Sequence, residues 1–385
     1  MSIELGVIDR PNIVVGTTAQ PLIQPRPPGL AVAVVGCGYW GSKHVRVLST
    51  LPDVARVIVV DPNPKVRDAI VAAFPGVEGA SDLRNVLSQV QAVVVATPPR
   101  NHAEVALQAL RAGRHVLIEK PITTTLAEAR LLVAEAVRHD AVLMAGHTFE
   151  FNPAVRELRR RMDEGELGTI HYVHSARLNL GLYRSDVNVV WDLAPHDISI
   201  MNYLLRSTPT TVGAWGSSHA CGDVKDLAYI RLDYGQRGVM GYAHVSWLDP
   251  RKVRRVTVVG SRKMAVYDDL AEERLRIFDC GVEGNATGGD GPAPFERPVS
   301  YRYGDIVSPH IHFEEPLSLE DRHFVDCIRK RRTPSSDGAS GMAVVAVLEA
   351  IDRALATGRD LPVEALQLPE PQSSALPGPV LPLTA

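Results

Sequence analysis

A glycine-rich turn after a short apolar segment constrains the start of this 385-residue chain more than any other feature. Gly36, Gly38 and Gly41 form a G-x-G-x-x-G motif directly after the apolar segment 31–35. In such a turn the first glycine lets the chain leave a buried strand sharply, and the second lets the backbone approach a pyrophosphate. The third lets the next helix pack closely on the sheet, with its positive end toward the phosphates. The motif therefore predicts dinucleotide binding.

An acidic residue after the next apolar segment supports this prediction. Asp61 follows the segment 57–60 and lies 25 positions after Gly36. This is near the roughly 20 positions expected for a carboxylate that binds the adenosine ribose hydroxyls. An ordinary turn beside a solvated aspartate is the alternative interpretation.

Strand and helix patterns alternate regularly up to residue 145. The apolar segments are short and almost free of polar residues, as in the central strands of a parallel sheet. This alternation predicts an α/β fold with a doubly wound parallel sheet of the Rossmann type. The predicted strands are 31–35, 57–60, 92–96, 115–118 and 141–145, and the predicted helices are 42–48, 65–74, 83–88, 102–112 and 126–138.

Two of these strands end in residues that could contact a ligand. Thr97 and Pro98 follow one strand, with His102 just beyond, and Glu119 and Lys120 end the next. In an open α/β sheet, ligands bind at the carboxyl ends of the strands.

Lys120 is one of only seven lysines in a chain with 34 arginines. An ammonium can share protons and change its pKa, whereas a guanidinium cannot. A solvated lysine paired with Glu119 is the alternative.

The second half of the chain alternates polar and apolar residues between turn signals. This predicts a large, mostly antiparallel open sheet with one covered face. Such a sheet tends to hide its other face against a second copy, so we expect a homodimer or homotetramer. Residues 281–291 are predicted to form a loop. The predicted strands are 170–178, 211–217, 228–234, 239–247, 254–260, 264–268, 274–278 and 297–302, and the predicted helices are 194–205, 319–331 and 342–357.

A segment rich in hydrogen-bonding side chains lies between the first of these strands and the first helix. Asp192 and His196 are four positions apart, which places two side chains on one face of a helix. His196 can accept a proton from an alcohol near neutral pH, and Asp192 can orient it or bind a hydroxyl. The alternative is that Asp192 caps the helix and His196 is structural.

Composition limits the other possibilities. The length suits two domains, and the formal charge of −3 argues against nucleic-acid or membrane binding through bulk charge. The four scattered cysteines suggest neither disulfides nor a zinc site, so we expect no metal and a cytoplasmic setting. We also expect an N-terminal extension over 1–29 without signal-peptide character and a poorly ordered proline-rich tail over 366–385.

Taken together, these features resemble the Gfo/Idh/MocA family (glucose–fructose oxidoreductase, inositol dehydrogenase, rhizopine catabolism) over roughly residues 30–365. The version of the helical motif at 191–197 looks like that of members found with sugar-nucleotide and amino-sugar biosynthesis. The shared motifs are the glycine turn, Thr97-Pro98-Pro99 with His102, Glu119-Lys120-Pro121, Asp192-x-x-x-His196, 315–320, His323-Phe324, Gly338 and Gly341.

The resemblance implies a Rossmann domain over 30–148 and an α+β substrate and oligomerisation domain over 149–365. It implies NAD-dependent oxidation of a secondary hydroxyl of a sugar, sugar nucleotide or amino sugar, with carbon 3 as our choice and antibiotic-type biosynthesis as the setting. Lys120 would bind the reacting hydroxyl and help to move its proton, Asp192 and His196 would line the same site, and His196 is our choice of acid/base. Tyr183 is a reserve proton acceptor.

The resemblance also implies residues for each ligand. Asp61 would favour NAD by repelling a 2′-phosphate, although Lys65 and Arg67 leave room for NADP. The cofactor would contact Gly36, Gly38, Tyr39, Trp40, Gly41, Asp61, Thr97, Pro98, His102, Glu119 and Lys120. The substrate would contact Arg177, Tyr183, Arg184, Asn188, Asp192 and His196, with Arg177 or Arg184 meeting an anionic group.

Other functions remain open from the sequence. The alternatives are an inositol-type dehydrogenase, a dihydrodiol-type dehydrogenase, a hydrolase that uses NAD transiently to cleave a glycoside, and a non-catalytic dinucleotide-binding regulator. A regulator would more often lack Lys120 or His196, and this chain has both. The substrate and the physiological direction are not determined by the sequence.

Overall fold

The computed structural model describes residues 29–366, apart from 182, 185, 186, 221, 236, 237 and 285–298. The expected N-terminal extension up to residue 28, the tail from residue 367, and residues 285–291 of the expected loop lie outside the described residues.

The first part of the chain forms a six-stranded sheet in which every strand is parallel to its neighbours, in the order β3-β2-β1-β4-β5-β6. This is the predicted doubly wound Rossmann arrangement, and β1 lies at its centre. The strands are β1 (Leu30–Val35), β2 (Val54–Val60), β3 (Glu78–Ala80), β4 (Ala92–Val95), β5 (His115–Glu119) and β6 (Leu143–Gly146), and the helices are α1 (Tyr39–Leu48), α2 (Pro64–Ala73), α3 (His102–Arg111) and α4 (Leu126–Arg138).

Two details of this sheet differ from the prediction. Residues 83–88, predicted as one helix, form two short 3-10 turns, Leu83–Asn85 and Leu87–Gln89. The side chain of Asp82 caps the first turn, and the chain soon enters β4, so a full α-helix has no room. The strand β3 was not predicted, because its three residues carry no apolar pattern.

The second part forms a nine-stranded sheet in the order β14-β13-β12-β11-β7-β10-β9-β8-β15. Only β7 and β10 pair in parallel, so the sheet is mostly antiparallel, as predicted. The strands are β7 (Ile170–Leu180), β8 (Thr211–Ser217), β9 (Leu227–Asp233), β10 (Met240–Ser246), β11 (Leu248–Gly260), β12 (Met264–Asp268), β13 (Leu275–Gly284), β14 (Val299–Val307) and β15 (Leu361–Pro362), and the helices are α5 (Pro153–Asp163), α6 (Val189–Leu205), α7 (Pro316–Lys330) and α8 (Gly338–Thr357).

Helix α6 begins five residues before its predicted start. The Oδ1 atom of Asn188 accepts hydrogen bonds from the backbone N–H groups of Val190 and Trp191, which caps the helix at Asn188 rather than at Asp192. Pro195 therefore lies inside the helix. As a result, Asp192 and His196 occupy consecutive turns of one regular helix.

Helix α8 joins the two sheets. Most of its residues are buried, and it packs on α4, α6, β6 and β8. A Cβ atom on Gly338 would lie 2.6 Å from the side chain of Leu143, and one on Gly341 would lie 2.9 Å from Ala145 and Ile122. These glycines therefore allow the helix to approach β6 closely. Among the described residues, no helix combines the length and apolarity needed to cross a membrane.

Candidate active site

The glycine turn has the geometry that a bound pyrophosphate requires. Gly36 has φ +91°, and a Cβ atom there would lie 2.8 Å from the backbone of Ala96 and Thr97. A Cβ atom on Gly41 would overlap the carbonyl oxygen of Gly36. A Cβ atom on Gly38 would meet none of the described atoms within 4 Å, and no side chain caps α1. The turn thus leaves space beside uncapped N–H groups, which suits an anion.

Asp61 lies at the end of β2, beside this turn. Its Oδ2 atom accepts a hydrogen bond from the backbone N–H of Cys37 at 2.9 Å, and its Oδ1 atom accepts one from the N–H of Asn63 at 2.9 Å. Arg67 donates to the main-chain oxygen of Asp61 at 3.3 Å. The carboxylate is therefore fixed beside the glycine turn, and its contact with a ribose stays a prediction.

Lys120 connects the first domain to helix α6. Its Nζ atom donates a hydrogen bond to the main-chain oxygen of Asp192 at 2.9 Å. Burial lowers the pKa of Lys120, while the charges of Asp192 and Glu119 oppose this shift. The peptide bond to Pro121 is cis. The ammonium is therefore held between the two sheets rather than in solvent.

The carboxylate of Asp192 is held from the second domain. Its Oδ2 atom accepts a hydrogen bond from the indole N–H of Trp247 at 3.0 Å, and its Oδ1 atom lies 3.6 Å from a guanidinium nitrogen of Arg184. Asp192 therefore joins groups from both domains at one point.

His196 follows Asp192 one turn later on α6. Its Nδ1 atom is buried and has no partner among the described residues. The ring packs edge-on against Phe149, with 4.8 Å between ring centroids. Burial lowers the pKa of His196 well below its usual value, and the positive charges of Lys120 and Arg177 lower it further. A neutral imidazole can accept a proton.

The other predicted substrate residues already have partners within the protein. The hydroxyl of Tyr183 donates to Asp226 at 3.2 Å, and its ring lies 5.3 Å from that of Trp247. Asn188 caps α6 and donates to Asp352 at 3.0 Å. Their contacts with substrate stay predictions.

Arg177 is more deeply placed than the prediction of an anion contact requires. Its side chain is buried, its Nε atom donates to Asp197 at 2.9 Å, and its guanidinium stacks 4.6 Å from the ring centre of Phe149. This geometry favours Arg184, whose side chain is about one-third exposed, as the arginine nearer to a bound anion.

His102 ties together two loops at the carboxyl edge of the first sheet. Its ring nitrogens each lie 2.8 Å from a carbonyl oxygen, that of Pro121 and that of Thr97. Burial lowers the pKa of His102. The side chain thus joins the segments that follow β4 and β5, next to the predicted cofactor residues Thr97, Pro98 and Glu119.

Two buried residues near the site were missed by the sequence analysis. His147 follows β6 at the same edge as Lys120, and neither of its ring nitrogens has a partner among the described residues. Burial lowers its pKa to about 4. The Oε2 atom of Glu320 accepts a hydrogen bond from Thr148 at 2.8 Å, and burial raises the pKa of Glu320 well above its usual value. The position of His147 just after a predicted strand was the available signal, whereas Glu320 lay in the shared motif 315–320 but was given no role there.

The residues present fit a nicotinamide dinucleotide. The turn offers room for a pyrophosphate at Gly38, and Asp61 offers a carboxylate for the ribose. The buried Oγ1 atom of Thr97 has no partner among the described residues and lies just after β4, where the strand order places the middle of the sheet. Such a site extends from the glycine turn toward Lys120 along the carboxyl edge of the six-stranded sheet.

Two family models match the chain. Residues 30–147 match the oxidoreductase family Gfo/Idh/MocA with its NAD-binding Rossmann fold. Residues 155–266 match the Gfo/Idh/MocA C-terminal domain. Together the two models cover more than half of the chain.

Individual relatives are also dehydrogenases. Inositol 2-dehydrogenase 2 of Saccharopolyspora erythraea is 36% identical over 212 residues, which are 52% of this chain and 62% of that enzyme. UDP-N-acetylglucosamine 3-dehydrogenase of Acidithiobacillus ferrooxidans is 28% identical over 323 residues, which are 82% of this chain and 94% of that enzyme.

Solved structures agree with these matches. GenD2 from gentamicin A biosynthesis, crystallised with NAD, superimposes with a TM-score of 0.73 and 27% identity over 89% of this chain and all of its own. The matched family models and the fold lead to one conclusion. The chain belongs to the Gfo/Idh/MocA family and is an NAD-dependent oxidoreductase.

Proposed function

We propose that this enzyme oxidises a secondary ring hydroxyl of a sugar-type substrate, with Lys120, Asp192 and His196 at the reacting centre. The hydrogen bond of 2.9 Å from Lys120 Nζ to the main chain of Asp192 carries the proposal. It brings the lysine of the first domain to the turn of α6 that precedes His196. The site therefore lies between the NAD-binding domain and the second domain, where a substrate can face the cofactor.

The protein's own groups would divide the work as follows. Lys120 binds the oxygen of the reacting hydroxyl and stabilises the negative charge that develops on it. His196, which burial keeps neutral, accepts the hydroxyl proton at a ring nitrogen. Asp192 holds the substrate against α6. When bound, NAD supplies the hydride acceptor, carbon 4 of the nicotinamide.

A sugar nucleotide or amino sugar oxidised at carbon 3 is our specific choice of substrate. The similarity to UDP-N-acetylglucosamine 3-dehydrogenase over 94% of that enzyme supports this choice, and so does the likeness to GenD2 of gentamicin A biosynthesis. Arg184, next to Asp192, can present a planar fork to a diphosphate or another anionic group. A role in antibiotic-type biosynthesis is part of the same proposal.

An inositol is the second candidate substrate. The relative at 36% identity is an inositol 2-dehydrogenase, and an inositol lacks the anionic group that Arg184 would bind. Replacing Arg184 by glutamine therefore separates a nucleotide sugar from an inositol. The variant should lose affinity for a nucleotide sugar but keep its affinity for an inositol.

A substrate panel tests the proposal. Purified enzyme is mixed with NAD or NADP and with nucleotide sugars, amino sugars or inositols, and formation of reduced cofactor is followed at 340 nm. We expect turnover with NAD, and a loss of about 10²–10⁴-fold in kcat for Lys120→Ala or His196→Ala. Lys263→Ala, which removes a lysine paired with Glu166 rather than with a group of α6, is the matched control.

Other outcomes would contradict the proposal. Cleavage of a glycoside without net accumulation of NADH would indicate the hydrolase alternative. NAD binding without turnover of any substrate would indicate a regulator. Unchanged kcat in both Lys120→Ala and His196→Ala would remove these residues from the reacting centre.

We also propose that the outer face of the nine-stranded sheet joins copies of the chain. Four aromatic residues lie on four strands of this face, and each residue is 40–60% exposed: Tyr172, Trp215, Tyr229 and Tyr242. Tyr229 also stacks on His244, with 4.1 Å between ring centroids. An exposed aromatic surface of this kind is typical of a protein–protein interface, and closed symmetry would make a homodimer or homotetramer.

A further inference from the structure

Behind Lys120 lies a buried chain of charged side chains that the proposed reaction does not use. His44 of α1 has its Nε2 atom 3.2 Å from Oε1 of Glu119, and its Nδ1 atom 2.8 Å from Oδ1 of Asp321 on α7. The other oxygen of Glu119, Oε2, accepts a hydrogen bond from the backbone N–H of Lys120 at 3.1 Å. The imidazole therefore bridges two carboxylates, one of which holds the main chain of Lys120.

These groups are almost completely removed from solvent. His44 and Asp321 are fully buried, and Glu119 is 6% exposed. A buried carboxylate is costly unless a cation and hydrogen bonds compensate for its lost hydration. Both ring nitrogens of His44 face carboxyl oxygens, and an imidazolium satisfies this arrangement with one N–H for each of them. With His44 in that form, the charges alternate from Lys120 through Glu119 and His44 to Asp321, although burial raises the pKa of Asp321.

The direction of the pKa shifts agrees with this geometry. The two carboxylates raise the pKa of His44 against the opposing effect of burial. The hydrogen bond and charge of His44 lower the pKa of Glu119 against burial. Burial lowers the pKa of Lys120, and the charges of Asp192 and then Glu119 oppose that lowering.

We propose that His44 and Asp321 are positioning residues for Lys120: they hold Glu119 in its charged form, and Glu119 fixes the backbone and the protonation state of the lysine. The assignment rests on the proposed role of Lys120 but does not depend on the identity of the substrate. The side chain of His44 also links α1, which follows the glycine turn, to α7.

The sign of the expected effect follows from the charges. Loss of the positive charge at His44 lets Glu119 bind a proton, which removes negative charge beside Lys120. The ammonium then loses its proton at a lower pH. The other titratable or charged groups that face Lys120 or Glu119 among the described residues are Asp192, Arg177, Arg184, His102, His147, His196 and Glu320, and none of them is replaced in the variants below.

Titration of Lys120 itself tests the proposal without a substrate. The lysines of the full chain are labelled by reductive ¹³C-methylation, and the Lys120 signal is assigned by its loss in Lys120→Arg. We expect the titration midpoint to fall by about 1 pH unit in His44→Gln. In Asp321→Asn it should fall less, in the same direction. Glu135→Gln, which removes a carboxylate paired with His139 on α4, should leave the midpoint unchanged.

The affinity for NADH, measured by fluorescence, separates positioning from general damage to α1. It should stay within about threefold of the native value in both variants. An unchanged titration midpoint of Lys120 in both His44→Gln and Asp321→Asn, with only a lower Tm or weaker NADH binding, would overturn the proposal. It would show that His44 and Asp321 only stabilise the fold. If His44→Gln does not fold, Asp321→Asn alone decides. If the native enzyme turned over no substrate of the panel, that result would contradict the proposed function but not the assignment of His44 and Asp321.

Discussion

Burial, more than residue type, sets the chemistry of the individual side chains at this site. Lys120 and His196 are both bases whose pKa is lowered by burial, and the charge of Lys120 lowers the pKa of His196 further. When Lys120 carries the proton, His196 is therefore the neutral group able to accept another. The hydroxyl of Tyr183 already donates to a carboxylate, which makes it a weaker candidate for proton acceptor.

The single carboxylate of Asp61 should control the choice between NAD and NADP. Asp61→Ala removes the charge that repels a 2′-phosphate, while Arg67 stays nearby to bind it. We expect the ratio of kcat/KM for NADP to that for NAD to rise about tenfold or more, which corresponds to about 1.4 kcal/mol. Glu104→Ala, which removes an exposed carboxylate from α3, is the control and should leave this ratio unchanged. If Asp61→Ala kept the cofactor preference of the native enzyme, Asp61 would not be the residue that contacts the adenosine ribose.

At the scale of elements, local patterns predicted most of what positions the site. The parallel strands and the antiparallel strands follow from the spacing of apolar residues, and their ends place Asp61 and Lys120 correctly at one edge. The predicted start of α6 was wrong because Asn188, rather than Asp192, caps the helix. Helix α5 was missed, although Asn152 and Pro153 form a common helix start.

The two glycines that flank the start of α1 should behave differently. Gly41→Ala places a methyl group on the carbonyl oxygen of Gly36, so we expect loss of stability and of NAD binding together. Gly38→Ala meets no described atom within 4 Å, so its Tm should match that of the native protein while the Kd for NAD rises. Calorimetry and cofactor titration of the two variants check this. Equal Kd values for Gly38→Ala and the native protein would show that the phosphates do not reach this position.

The whole molecule depends on contacts that no local pattern could indicate. His44 and Asp321 are 277 positions apart, yet their side chains meet in the interior. Such a pair depends on how α1 and α7 pack, which requires the tertiary structure. The same is true of His147, whose place at the sheet edge was predictable but whose burial was not.

Buried neutral histidines should make the protein sensitive to acid. The pKa of His147 is about 4 in the folded chain and near 6.5 in the unfolded chain. Between these values only the unfolded chain binds the proton, so the free energy of unfolding falls as the pH falls. We expect native protein to lose up to about 3 kcal/mol more than His147→Gln between pH 6.5 and pH 4. Urea unfolding at several pH values measures this difference, and equal losses in the two proteins would contradict it.

Association of copies should depend on the aromatic face of the large sheet. Trp215→Glu places a charge among exposed rings, so we expect a shift toward monomer in light scattering coupled to gel filtration. Leu270→Glu, at another exposed apolar residue, should not change the mass. A native protein that is already monomeric at micromolar concentration would overturn the interface.

The segment that leads into α8 covers the edge strand β6, so that a strand of another chain cannot pair with it. Strand β6 is an edge strand, but Ala145 donates its N–H to Ser336, and Met144 pairs with Asp337 in an antiparallel bridge. The opposite edge, β3, offers only three residues. A chain emerging from synthesis exposes β6 until residues 336–337 arrive, because these close the edge. Completion of the C-terminal helices should thus decide when the nascent enzyme stops being prone to aggregate.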